Sequence, residues 1–150
     1  MSLQQWLDNS WITAVEPTAR DVSNLLAVAT REIADGSLDG MSPDGRFDHA
    51  YDAVRALCEV ALHASGYVIP KGGRKHERLI ESLKFTLDEQ WTSEVDFLDR
   101  CRRLRHQAIY DRTGVVQQTD ADDLLELAKR LDEAIRQWLQ QHHPDLLQTS

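Results

Sequence analysis

Residues 42–66, SPDGRFDHAYDAVRALCEVALHASG, decide how the chain folds. Phe47, Ala50, Tyr51, Val54, Leu57, Cys58, Ala61 and Leu62 recur at alternating steps of three and four, which lines them along one face of a helix. Ser42 has the short hydroxyl side chain that caps a first turn, and Pro43 fits the first helical position. Gly66 fits the position just past the last turn. The spacing predicts a long, central helix.

The same period appears on both sides of it. Thr18 caps a helix with Asp21 in capping-box position, Val22, Leu25, Leu26, Ala29 and Ile33 as its stripe, and Gly36 as its stop. Downstream, YVIPKGGRKH (67–76) reads as a loop because of Pro70, Gly72 and Gly73. A shorter helix follows through ERLIESLKFTL (77–87). A further long helix, from about Thr92 to Tyr110, carries Val95, Leu98, Cys101, Leu104 and Ala108. In the last, Thr119 caps an acidic first turn (Asp120, Asp122, Asp123), and Leu124, Leu127, Leu131, Ile135 and Trp138 line the inner face. No segment alternates as a strand does, and GYVI (66–69) is too short to count. The expectation is an all-α fold, an up-and-down antiparallel bundle of four to five main helices. LQQWLDNSWI (3–12) adds an amphipathic turn or two against its side. One domain spans residues 1–150 with its core at about 18–142, and the tail after Pro144 is expected to fray.

At 150 residues, 41% hydrophobic and 28% charged, the chain is long enough to bury a proper core. A net charge of -8 argues against a general, salt-driven grip on nucleic acid, although local basic patches remain compatible with it. The first residues, MSLQQWLDNSW, resemble no signal peptide, and LLAVA (25–29) is too short to span a bilayer, so a cytosolic protein with no membrane association is expected. Cys58 and Cys101 sit in helical patterns among apolar neighbours and read as buried, reduced thiols. The histidines form neither an HExxH nor an H-x-x-x-H pattern and the cysteines no CxxC, so neither a metal site nor a cofactor is expected. His142 and His143 read as the end of a helix, where a partly charged imidazole suits the dipole. No G-x-S-x-G elbow or full phosphate-loop motif occurs. KGGRKHER (71–78) offers glycine-flanked amides before a helix, either an anion cradle or a solvated turn.

The remaining anomaly is RRLRHQAIYDR (102–112), four arginines with a histidine and a tyrosine in an acidic chain. On a helix, Asp96 with Arg100 and Asp99 with Arg103 are i,i+4 partners, which accounts for part of the charge as a salt-bridged outer face. Arg105 lies next to the apolar stripe, where a guanidinium needs a carboxylate, a phosphate or a partner chain. Tyr110 is rotated from it by about 140°.

These segments resemble the HEPN superfamily, small α-helical domains of prokaryotic toxin–antitoxin and defence systems. The likeness covers roughly residues 18–142: DVSNLLAVATREIADG (21–36), RFDHAYDAVRALCEVALHASGY (46–67), KGGRKHERLIESL (71–83) and LDRCRRLRHQAIYD (98–111). Catalytic members carry an arginine, a polar residue and then a histidine four to six positions beyond the arginine, at the two-fold interface of a dimer, and act as metal-independent endoribonucleases. In this chain Arg105 falls at the arginine and His106 at the polar residue, and Tyr110 stands where the histidine belongs. A second register pairs Arg100 with His106, rotated by about 240°.

The resemblance implies a homodimer whose arginine holds a phosphate while an imidazole takes the proton of a 2′-hydroxyl. Arg105, His106 and Tyr110 are then the candidate catalytic set. Arg102, Arg112, Arg74, Lys75 and His76 are the candidate phosphate or RNA contacts. The function expected first is a non-catalytic or weakly active module that binds RNA, a nucleotide or a partner protein such as a nucleotidyltransferase-type antitoxin. The alternatives are a metal-independent endoribonuclease toxin, with His106 as substitute base, and a purely structural helical dimerisation protein.

Overall fold

In the computed structural model, Pro43–Ala64 is one uninterrupted helix of 22 residues, with the Ser42 hydroxyl accepting from the Gly45 amide at 3.0 Å. It ends where Gly66 takes φ +97°, a conformation costly for any residue with a Cβ. The structure describes residues 1–72, 74–111 and 115–147, with the side chains of Tyr110 and Asp111 outside that description. In chain order the elements are α1 (Leu3–Asp8), β1 (Thr13–Ala14), α2 (Ala19–Gly36), α3 (Pro43–Ala64), β2 (Tyr67–Val68), α4 (Lys75–Glu81), α5 (Leu83–Thr86), α6 (Thr92–Asp111) and α7 (Gln118–His142). Short 3₁₀ turns occupy Glu89–Trp91 and Pro144–Leu147.

The fold is all-α and α3 is its axis. It packs most extensively against α2 and α7 and also touches α4, α5 and α6. Its burial is therefore wider than the expected stripe: Ala53, Ala56, Val60, His63 and Ala64 are buried as well. Alanine at those positions lets neighbouring helices approach closely, while Phe47, Tyr51, Leu57 and Leu62 fill the space between them. Cys58 and Cys101 are both buried free thiols. Burial pushes the Cys58 thiol up, and pushes that of Cys101 up to about 12.

Several boundaries differ from the sequence reading, each for a local reason. The expected helix over 77–87 starts earlier, at Lys75, and breaks at Ser82. The buried Ser82 hydroxyl donates to the Leu79 carbonyl at 2.6 Å, diverting a helical acceptor. α7 is preceded by Gln117, whose amide donates to the Asp120 carboxylate at 2.9 Å, so Thr119 lies inside the helix rather than at its cap. Tyr67–Val68 does form a strand, paired antiparallel with Thr13–Ala14 some fifty residues earlier, a partner no local pattern reveals. Pro144–Leu147 packs as a turn against α2, with Leu146 and Leu147 partly buried, and the rest of the tail lies outside the described residues.

The N-terminal turns are anchored by Trp6, which is 3% exposed and meets Trp11 and Phe85 edge to face at 5.8 and 5.4 Å. At the other end of α2, Arg46 of α3 donates to the Gly36 and Leu38 carbonyls at 2.9 and 3.0 Å and pairs with Asp122 of α7 at 3.0 Å. One guanidinium thus meets the last carbonyl of α2 and one just past it, and ties three helices together.

Candidate functional site

Asp48, Tyr51, Asp52 and Arg55 follow one another at helical spacing on α3, so a polar stripe runs beside its apolar faces. Arg102, Arg105, His106 and Ile109 do the same on α6. α4 closes the third side with Lys75 and His76 in its first turn, fed by the loop at Lys71 and Gly72. Between them lies a cleft of about 450 Å³ lined by Tyr51, Lys71, Lys75, His76, Arg102, Arg105 and His106, among others. Among the described residues, four permanent cations line it against one carboxylate, Glu77, in a chain of net charge -8.

Arg105 is the centre of this arrangement. Its Nε stands 3.7 Å from an Asp48 oxygen and a terminal nitrogen 3.7 Å from Asp52, too long for good hydrogen bonds. The guanidinium lies 4.9 Å over the Tyr51 ring, a cation–π arrangement. The carboxylates that neutralise Arg105 therefore come from α3 of its own chain, so its position beside the apolar stripe does not by itself require a second copy. Arg105 Nε, Arg55 Nε and the Tyr51 hydroxyl are buried donors without a hydrogen-bond partner among the described residues. Unmet buried donors cost roughly 1–3 kcal/mol each; of the three residues, Tyr51 and Arg105 line the cleft.

Protonation is shifted around the cleft. Burial pushes the Tyr51 phenol up to about 12, against the opposing pull of Arg105, Arg55 and Arg102, so it remains a donor at any physiological pH. Burial and then the Arg55 and Arg105 charges hold His76 below the ordinary imidazole value. Asp48 is raised, again by burial first, with Arg105 opposing.

Of the residues singled out from sequence, Arg102, Arg105, His106, Lys75 and His76 line the same cleft. Arg102 is also forked onto Asp99, with Nε and a terminal nitrogen each 2.9 Å from one oxygen, and Arg103 reaches Asp99 at 3.4 Å. Asp96 and Arg100 do not pair; Arg100 instead lies 5.8 Å over the Phe97 ring. Arg74 is exposed and outside the cleft lining. Arg112 and the Tyr110 side chain lie outside the described residues. Sequence reading passed over Tyr51, taken as core alone, and the Asp48/Asp52 pair; the signal was their i,i+4 recurrence with Arg55 on a helix otherwise rich in alanine. At the far end, the Trp138 ring lies 6.2 Å from His142 and 5.0 Å from His143, and burial lowers His143.

Among the described residues no three His, Cys, Asp or Glu side chains gather in a metal-binding group, and no helix is long and apolar enough to cross a membrane. Comparison with protein families, characterised proteins and solved structures finds no match for this chain.

Proposed function

We propose that the protein is an anion-binding module whose natural ligand is the phosphate backbone of RNA or a nucleotide, held in the cleft between α3, α4 and α6. The observation that carries this reading is the convergence of Lys71, Lys75, Arg102 and Arg105 on one cleft of an acidic protein, with the Tyr51 hydroxyl and Arg105 Nε still lacking acceptors. Lys75, Arg102 and Arg105 each have a carboxylate within 4 Å, yet they are collected around a concavity, which is the arrangement an anion site needs. This agrees with the HEPN-like reading of the sequence, in which Arg105 holds a phosphate.

A second reading, a metal-independent endoribonuclease working as a homodimer, is favoured by the two imidazoles beside Arg105. His76 is held neutral by burial and by neighbouring arginines, the state a general base needs. His106 lines the same cleft.

Fluorescence anisotropy with single-stranded RNA tests both. Binding should weaken with salt, with a slope of about -0.7 in log K per phosphate contact, and Arg105→Ala should remove most of it. Cleavage in EDTA that is lost in His76→Gln or His106→Ala would favour the enzyme, and sedimentation measures the dimer. Binding that is indifferent to both salt and Arg105 would overturn the reading and leave a structural helical protein.

A further inference from the structure

A second cavity, of about 340 Å³, opens on the other side of α4, between α2, the end of α3 and β2. That is near the lower end of the range for small-molecule pockets, about 300–1,000 Å³. Its walls include Leu25, Leu62, Ile69, Leu79 and Tyr67, and its polar groups include Asp21 and His63. His63 is 7% exposed, and its Nε2 is buried without a hydrogen-bond partner. The nearest candidate, an Asp21 oxygen, stands 3.5 Å away on a side chain that is 55% exposed. Lys75 belongs to this cavity and to the basic cleft alike, its ammonium 3.9 Å from Glu59.

We propose that this cavity is a base subsite that takes a nucleobase, stacked on Tyr67 with a donor–acceptor edge on Asp21 and His63, while the attached phosphate lies past Lys75 in the basic cleft. The inference rests on the anion-binding reading for the phosphate but not for the base. An imidazole N–H beside a carboxylate presents one donor and one acceptor side by side. Adenine and cytosine match that pair with a ring nitrogen that accepts and an amino group that donates. Uracil meets the same pair with O4 accepting and N3–H donating, so the pair selects a base edge rather than one base. Apolar walls and one aromatic face are what a flat base needs, since base–aromatic stacking contributes about 1–3 kcal/mol. A buried imidazole nitrogen left without a partner is otherwise a cost to the fold.

The histidine side-chain signals in a proton–carbon NMR spectrum of the full chain report on both subsites. Adenosine, which has no phosphate, should shift His63 and leave His76 in place; ribose 5-phosphate, which has no base, should do the reverse. Adenosine monophosphate should shift both and bind at least tenfold more tightly than either fragment. Asp21→Ala, at a largely exposed position, should weaken adenosine by roughly tenfold, the effect of losing a hydrogen bond to a charged group. Leu25→Phe, which fills the cavity, should abolish the adenosine shift while ribose 5-phosphate binds as before. Failure of adenosine to shift His63 overturns the base subsite. Failure of ribose 5-phosphate to shift His76, with adenosine still shifting His63, overturns the cleft reading and the phosphate placement built on it, and the base assignment stands.

Discussion

Helices α6 and α7 are both long and densely charged, yet they are held in different ways. α7 buries Ala121, Leu124, Leu127, Ala128, Leu131, Ile135 and Leu139 along its whole length, and closes charge locally in pairs such as Arg136 with Asp132 at 3.0 Å. α6 buries Val95, Leu98 and Cys101 in its first half. Beyond Cys101, Leu104 and Ala108 are only partly buried and Ile109 is 56% exposed. What replaces apolar contact there is Arg105 beside Asp48, Asp52 and the Tyr51 ring. Loose, partly solvated ion pairs contribute about 0–1 kcal/mol each. The second half of α6 is thus weakly anchored and chemically equipped, whereas α7 is strongly anchored and chemically plain.

Core truncation gives the largest contrast. Leu131→Ala on α7 should cost about 2–5 kcal/mol, because a fully buried leucine loses both its transfer free energy and its packing. Leu104→Ala on α6 should cost less than about 1.5 kcal/mol, since that side chain is only partly buried. Urea denaturation of the two variants measures the difference, and equal losses would break the comparison.

Arg105→Ala comes next, with its effect in function. RNA affinity should fall by tenfold or more, about 1.4 kcal/mol per factor of ten, while the denaturation midpoint moves little. A variant that unfolds easily and binds RNA normally would place Arg105 with the structural ion pairs of α7.

Much of the fold was legible because it rests on local chemistry. The caps at Thr18 and Ser42 and the glycine after α3 each act within a few residues, and the apolar stripe of α7 repeats without interruption. What escaped was non-local. The β1–β2 pair needs a partner some fifty residues away, and the break at Ser82 depends on a hydroxyl turned back onto its own helix. The site divides in the same way. Arg102, Arg105 and His106 stood out as charge in the wrong place. Tyr51 did not stand out, because an aromatic on an apolar stripe reads as core; its hydroxyl becomes informative only once α6 lays Arg105 over the ring. The Arg105 counterions, Asp48 and Asp52, come from a helix more than fifty positions earlier, so sequence alone left phosphate, carboxylate and partner chain equally open.

A smaller effect concerns pH. His76 is held below the ordinary imidazole value, so between that value and the folded one the unfolded chain carries more protons. His76 therefore subtracts stability as pH falls through that window. A bound phosphate favours the charged ring and raises His76 back, so RNA affinity should increase severalfold as pH falls from 7.5 to below 6. His76→Gln should flatten that part of the dependence. Glu32, lowered chiefly by its 2.6 Å hydrogen bond with His49, contributes stability that is lost only at more acid pH, as pH falls through its folded value. Measuring affinity rather than stability keeps the two apart.

The smallest change asks whether the α3 carboxylates compete with the ligand or help to place it. Asp52 stands 3.7 Å from Arg105 and 3.7 Å from Arg55, close enough to attract and too far to satisfy their donors. Neutralising it in Asp52→Asn removes a negative charge beside the cleft and leaves both guanidinium groups freer to meet an anion. RNA affinity should rise about two- to fivefold, on the scale of one partly solvated ion pair. Asp132→Asn on α7, which breaks the Arg136 pair at comparable exposure, should leave affinity unchanged. If Asp52→Asn weakens binding instead, the carboxylate holds Arg105 in its binding geometry, and the second half of α6 is positioned by its ion pairs as firmly as α7 is by its leucines.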